Sequence, residues 1–513
     1  MNLLERGILA IAPGWARTRA KARAQVEAYE AGRINRRSRG RIPESTGPNA
    51  QVGPYLARAR NRSRQLERDN PHAGRIIDIL TQNRVGYGIS MRANTGDPAL
   101  NKQADAVYKA WSRKSDIAGL LSFDAQLEVA ARSWAEAGEG IIRFIQLTPS
   151  EMREQGMRIP LKLEVVEPDL LAETLTATTR GGGMIVQGVE LTRRGLVVAY
   201  HFRRGHPGED GPGALLMGSW ATPSALTEET DRWPAADVIH LYHQKRPGQR
   251  RGVPALHRII PLLGDFSELA EASVIKAKVE ACFTAFVTRP GGGQEGVVGP
   301  DGKRQHREEE LSPGMIGYLE PGEEVATVNP TGAGQFEPLS RYFQRAAAVG
   351  TGLTDDQVSG DFSTATFSSL KASRVEHRRG IDADHWLRII PACERVWERV
   401  MDLAMIMGEL PFRPEGYPVE CQPPRHELID PPREIPALIK AARGGLETMP
   451  NLIGSLGYNW REHAAEIAEW LEELDDKGII LDSDPRRTAL AGSAQDPSQN
   501  AAVELGAGRT SEA

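Results

Sequence analysis

A chain of 513 residues can bury a large core, and the length alone allows roughly two to four domains or one elaborate subunit. Hydrophobic residues are 40% and aromatics 6%, and no apolar run reaches the roughly 20 residues that cross a bilayer, so neither a membrane span nor an aromatic platform for nucleic acid is indicated. The net charge of −5 is unevenly spread: residues 1–68 hold 15 Arg and Lys against 5 Asp and Glu, a basic arm on an acidic body that suits nucleic acid, an acidic partner or a solvated tail.

Along the chain, Gly32 to Pro54 is rich in Arg, Gly, Pro and Ser and reads as a flexible arm, with ordered structure expected from about Tyr55. Asp69-Asn70-Pro71 opens a helix striped with Ile76, Ile77 and Leu80, which ends at Gly86-Tyr87-Gly88. A second helix is predicted over Asp124 to Ala137, with Asp124 as its cap and Leu127, Ala130, Ala131 and Trp134 on one face. Gly138-Glu139-Gly140 stops it. Strands are predicted at Ile141 to Leu147, Leu161 to Val166, Leu196 to Phe202 and Val238 to Tyr242, which makes this region α+β.

Arg246-Pro247-Gly248-Gln249-Arg250-Arg251-Gly252-Val253 then breaks the strand pattern, and helical periodicity runs from Pro254 to Val287, about 50 Å at 1.5 Å per residue. A Gly/Pro-rich stretch from Arg289 to Pro338 encloses the strand-like Met315 to Val328. Helices are predicted again at Leu339 to Val349 and Thr366 to Met407. An amphipathic helix carries Trp460, Ala464, Ile467, Leu471 and Leu474, and the Ala/Gly/Ser-rich end beyond Pro485 reads as disordered.

Most of the candidate chemistry is incomplete. Cys282, Cys393 and Cys421 are scattered, so no disulfide framework or cysteine zinc site is expected and a reducing interior is the natural setting. His240 and His243 follow His201 and His206, but on a strand positions three apart face opposite ways, and no His-Glu-x-x-His occurs; no metal site is expected. Ser368 and Lys371 have the Ser-x-x-Lys spacing without its companion motifs, the glycine runs at 181–183 and 291–293 lack a following Gly-Lys-Ser/Thr, and Glu308-Glu309-Glu310 reads as a solvated run. Neither catalytic residues nor a cofactor is expected. Lys371, Arg374 and Arg378 share one helix face and form a candidate DNA-facing stripe, although Asp382 one turn beyond Arg378 offers it an ion pair instead.

Taken in order, several blocks resemble the lambda-type bacteriophage portal proteins. They are Leu66 to Pro71 with Asn83-Arg84-Val85-Gly86; Trp134 with Gly138-Glu139; Glu167-Pro168-Asp169-Leu170; Gly188-Val189-Glu190; Val198 to Phe202; and Ile239-His240 leading into Arg246 to Val253. Leu311 to Gly314, Leu319 to Glu323, Val358 to Asp361 through Phe367-Ser368-Ser369, Asp430-Pro431 and Gly445 to Thr448 follow. Arg84 and Thr366 to Lys371 depart from the usual pattern but keep a cation and an aromatic.

The resemblance implies a helix-rich α+β subunit with wing, stem, clip and crown regions. Such subunits form a ring, of twelve copies in the virion, around a central channel at one capsid vertex. Implied partners are double-stranded DNA, the terminase large subunit, the major capsid protein and a head-to-tail connector; the implied places are the virion portal vertex and the host cytoplasm during assembly. By analogy 1–54 is the arm, 55–253 the wing, 254–288 a stem helix, 289–337 the clip, 338–412 a second stem helix with a tunnel loop at 353–366 and a long helix, 413–484 the crown and 485–513 a tail. Arg246, Gln249, Arg250 and Arg251 become candidate subunit-contact residues at the wing-to-stem junction. An acidic body with few tunnel cations would let DNA slide rather than grip it. The alternatives are a metal-dependent nuclease with a basic clamp, for which no carboxylate cluster is visible, and a scaffold that forms no channel.

Overall fold

The computed structural model describes residues 45–208, 229–282, 286–288, 297–298, 304–305, 324–326, 336–363, 366–426, 428–458, 460–479 and 481. The chain divides into two units, Met1–Gln51 and Val52–Ala513, and the architecture below is that of the second. Most of the arm, most of the expected clip, the glycine run at 291–293, Glu308 to Glu310 and the tail lie outside the described residues.

Helix α1 (Leu56–Asp69) gives way to α2 (Pro71–Val85) where the sequence requires it. The Asn70 side chain accepts the N–H groups of His72 and Ala73 at 3.0 Å, and Pro71 fills the first helical position, where a missing N–H costs nothing. Strand β1 (Ser90–Ala93) and α3 (Pro98–Ser112), capped by Asp97, were not foreseen from periodicity. In α4 (Phe123–Ala137) the cap is Ser122, which accepts from Ala125 N, rather than Asp124. The helix starts one residue early, and Asp124 falls in its first turn, where a carboxylate still suits the helix dipole.

Strands β2 (Glu139–Gln146) and β3 (Leu161–Val166) flank the short α5 (Pro149–Gln155). Then come β4 (Ala177–Thr178), β5 (Met184–Val186), β6 (Val189–Leu191), β7 (Val197–Arg203), β8 (Thr230–Pro234) and β9 (Val238–Tyr242). They form two antiparallel sheets, ordered β3-β2-β9 and β4-β5-β6-β7-β8. Ile141, Leu171, Val189, Phe202 and Val238 share one apolar core between the sheets.

The helix predicted over 254–287 is shorter at both ends. Pro254 is extended, a 3-10 turn covers Ala255–Arg258, and α6 spans Ile260–Cys282, about 35 Å. Phe286–Thr288 is instead strand β10, because an aromatic and two β-branched residues favour pairing and find a partner. After β11 (Val297–Val298) and β12 (Arg304–Gln305), which pair with each other, β13 (Glu324–Ala326) supplies that partner.

Helix α7 (Phe336–Thr351) precedes the short α8 (Asp355–Ser359). The rod predicted over 366–407 is continuous through α9 (Phe367–Asp384), a π turn at His385–Ile389 and α10 (Ile390–Ile406). Pro391 has no N–H for the Leu387 carbonyl, and the wider turn absorbs the missing bond. Strand β14 (Val419–Gln422) returns to pair with β1, Ser90 opposite Gln422. Helices α11 (Pro431–Arg443), α12 (Met449–Ser455) and α13 (Trp460–Asp476) follow. The largest core gathers Trp111, Phe123, Leu127, Trp134, Val396 and Trp397; a second joins Ile76 and Ile77 of α2 to Leu256, Leu263 and Ala347.

Candidate functional site

The junction at 246–253 is held by its own polar groups. The Gln249 side-chain oxygen accepts the N–H groups of Lys245 and Arg246, its amide donates to Arg251 O at 2.7 Å, and Gly248 takes φ +80. Arg251 then turns into the interior. Its guanidinium makes a forked pair with Glu139 at 2.8 Å and donates to the carbonyls of Pro168, Leu171 and Gln187. Both side chains have 0% exposure.

The backbone closes the same lock. Gly252 N donates to Glu139 Oε1 at 2.7 Å, and a Cβ on Gly252 would come within 2.0 Å of Gly138 O. Gly138, at φ +94, caps α4 in the left-handed region and lies as tightly against Val253. The Gly138-Glu139 and Arg251-Gly252 blocks are therefore two halves of one contact. Burial by itself would raise the Glu139 carboxyl, but the Arg251 charge and the hydrogen bonds from His240 and Arg251 outweigh it and hold the group well below the usual range.

Of the four junction residues, Gln249 and Arg251 are buried against their own chain. Arg246 is exposed, and Arg250 is half-buried with a bond to Gly195 O at 3.3 Å.

A second buried hub joins the end of α2 and the residue after β9 to the long rod. Asp384, at the end of α9, accepts from Arg84 at 2.9 Å, His243 at 2.7 Å and Arg388 at 3.1 Å. Arg84 also stacks over Trp134 with its guanidinium carbon 4.0 Å from the ring centre, and His385 donates to Arg84 O at 2.9 Å. Asp384 too is depressed: burial raises it, while His243 and Arg84 pull it lower. Arg84, the departure from the family pattern, thus has a specific acidic partner.

The histidines go to separate carboxylates. His201 pairs with Glu190, His206 with Glu167, His240 with Glu139 and His243 with Asp384. Among the described residues Glu167, Asp169 and His206 do bring ligand-type atoms within 4.8 Å of one another. Arg60 and Arg64 already pair with Asp169 at 3.2 and 2.7 Å, so cationic groups occupy the side a metal ion would need.

Burial lowers His243, His257, His377 and His385. An unfolded chain, whose histidines titrate near about pH 6.5, then takes up protons first. The stability these groups contribute is complete above that pH and falls as pH drops through it; the depressed Glu139 and Asp384 add a further loss below about pH 4. Thermal midpoints measured from neutral to acid pH are expected to decline in those two stages, and a flat profile down to about pH 5 would contradict the histidine share.

The basic stripe on α9 is partly neutralised. Lys371 pairs with Glu434 at 2.8 Å and Arg374 with Asp356 at 3.3 Å, while Asp382 pairs with His426 at 2.8 Å. Arg374 and Arg378 nevertheless line a cleft of about 650 Å³ with Arg425, His426, Tyr87 and Tyr458. The tunnel-loop candidate 353–366 is mixed in burial. Leu353, Gln357 and Val358 are buried, with Val358 O bonded to His72, and of the described residues Asp355, Gly360, Asp361, Phe362, Ser363 and Thr366 are exposed.

Against known proteins, the family model "Phage portal protein, lambda family" matches residues 34–384. A probable portal protein of Halomonas phage phiHAP-1 is 25% identical over 418 residues, which cover 77% of this chain and 76% of that one. Of solved structures, a chain from the neck of an empty GTA particle is similar with TM-score 0.45 and 14% identity, over 77% of this chain and 92% of that one. An HK97-family phage portal protein from Corynebacterium diphtheriae gives 0.28 and 8%, over 59% and 80%. With more than half its length matched by the family model, the chain belongs to the lambda family of phage portal proteins.

Proposed function

We propose that copies of this chain close into a ring, of twelve subunits as in the family, at one capsid vertex. The ring forms the DNA channel, docks the terminase motor and capsid protein, and later receives the head-to-tail connector. The role is structural and non-enzymatic. The observation that carries the reading is the family match over 34–384, whose blocks at Gly138-Glu139 and Arg251-Gly252 meet in the lock described above.

On this reading 55–253 is the wing, α6 a stem helix, 289–337 the clip and 413–484 the crown. Rigidity at the wing-to-stem junction is then the purpose of the lock, since a ring closes only if every subunit holds the same angle. The exposed end of the 353–366 segment would face the channel, and Lys371, Arg374 and Arg378 would sit near phosphates.

Native mass measurement and negative-stain imaging of the purified chain test the proposal. A closed ring with a central opening is the expected result, and a monomer under all assembly conditions overturns it. In the ring, replacing Lys371, Arg374 and Arg378 with Ala should flatten the salt dependence of DNA binding by about 0.9 for each phosphate that is no longer neutralised. An unchanged slope removes these residues from the channel wall.

A further inference from the structure

The cleft between the end of α2, helix α9 and the segment after β14 has the make-up of an anion site. Its volume is about 650 Å³, within the range of pockets that hold a small molecule. Arg374 and Arg378 reach it one turn apart on α9, Arg425 reaches it from beyond β14, and its described lining residues include no Asp or Glu. Asp356 and Asp382, which pair with Arg374 and His426, are not part of that lining. The Asp356 contact uses one guanidinium nitrogen of Arg374 and leaves its other donors. A cleft lined by cations, in a chain whose net charge is −5, concentrates anions.

The cleft also holds its groups in place. Gly457 takes φ +81 and lies so close to Arg425 that a Cβ there would come within 3.0 Å of the arginine's own Cβ, and Arg425 Nη1 donates to the Tyr458 hydroxyl at 3.4 Å. His377 is 7% exposed and is the one buried residue of the described lining. Its Nδ1 donates to Gly352 O at 3.3 Å, and its Nε2 has no hydrogen-bond partner among the described residues. A buried polar atom of this kind is one that a bound group would satisfy. At the rim, Tyr87 stands between Gly86 at φ +54 and Gly88 at φ +115 with its side chain fully exposed.

A carboxylate presents one edge and is satisfied by one guanidinium fork, whereas a phosphate offers three oxygens in different directions to donors from separate segments. An exposed tyrosine ring beside those donors is a stacking platform for a base. We infer that this cleft binds a nucleotide, its phosphate held by Arg374, Arg378 and Arg425 and its base stacked on Tyr87. The nucleotide is either free or the last one of a DNA strand. The inference goes beyond the channel reading, in which Arg374 and Arg378 meet the phosphates of passing duplex, because a single chain holds the whole site and no ring is needed.

Calorimetric titration of the full-length chain tests it. Deoxyadenosine monophosphate should bind saturably with a dissociation constant below about 1 mM, and deoxyadenosine, without the phosphate, at least about ten-fold more weakly. Arg425→Ala and Tyr87→Ala, both at exposed positions, should each weaken the monophosphate at least about five-fold. Arg379→Ala, on α9 but outside the lining, should change it less than about two-fold. Circular dichroism checks that each variant folds. A short DNA hairpin that competes only when it carries a terminal phosphate identifies the strand end as the source, and no competition by either form identifies the free nucleotide. Equal competition by both forms overturns the discrete site in favour of duplex contacts. Absence of saturable binding overturns it, and so does equal weakening by Arg379→Ala and Arg425→Ala, which marks diffuse attraction by charge. Inorganic phosphate bound as tightly as the monophosphate, with no effect of Tyr87→Ala, overturns the nucleotide assignment. None of these results bears on the ring reading, which native mass decides separately.

Discussion

Glu139→Ala is expected to cost about 3–5 kcal/mol, because it strands the Arg251 guanidinium in an interior from which water is excluded. In the folded chain Arg251 Nε and Nη2 both reach Glu139, and Gly252 N and His240 lose their acceptor as well. The three backbone carbonyls that remain around Arg251 cannot replace a negative charge. Arg251→Met alone leaves the opposite charge unpaired and should cost a similar amount. The double variant Glu139→Leu/Arg251→Met removes both charges and should be less damaged than either single change. Chemical denaturation of the three variants provides the cycle. Additive losses would mean that the pair is not coupled and that the lock depends on glycine packing alone.

Asp384→Ala should have the second large effect, again about 3–5 kcal/mol, since Arg84 is also buried and pairs with that carboxylate. The consequence is expected beyond the hub. Asp384 sits where α9 meets the π turn, so its loss releases α2, β9 and the long rod from one another. Hydrogen exchange should speed up from His385 to Ile390 and around Arg84, while the β3-β2-β9 sheet stays protected. Exchange unchanged at the rod would show that Arg388 and the apolar contacts of Ile389 and Ile390 hold the junction without the hub. A control change at Lys371, whose pair with Glu434 is exposed, should cost no more than about 1 kcal/mol.

Local chemistry was legible where one segment satisfies its own needs. Asn70-Pro71 specified a helix start, because an amide side chain and an imide nitrogen solve the problem of unpaired N–H groups without outside help. The strands at 161–166 and 238–242 appeared where β-branched and apolar runs predicted them. Helix α3 carries a local signal of the same kind, in Asp97-Pro98 and in Leu100, Ala104, Val107 and Trp111 at helical spacing. The β1–β14 pair was not legible, since four residues at 90–93 carry no mark of partners at 419–422.

The candidate sites divide along the same line. The sequence by itself determined that 246–253 is a turn before a helix, that its blocks follow the order of the portal family, and that catalytic motifs are incomplete. Only the tertiary structure decided what the charges are for. Arg246, Arg250 and Arg251 are chemically alike in the chain, but folding places Arg251 against a carboxylate 112 residues away and leaves Arg246 exposed. On the α9 stripe the sequence offered only Asp382 as a partner, whereas folding brings Glu434 and Asp356 to Lys371 and Arg374 from distant segments. A charge acquires its role from its partner and its depth. Turn geometry, by contrast, is fixed by neighbours in sequence, so Pro247 and Gly248 could be read before the fold was known and Arg251 could not.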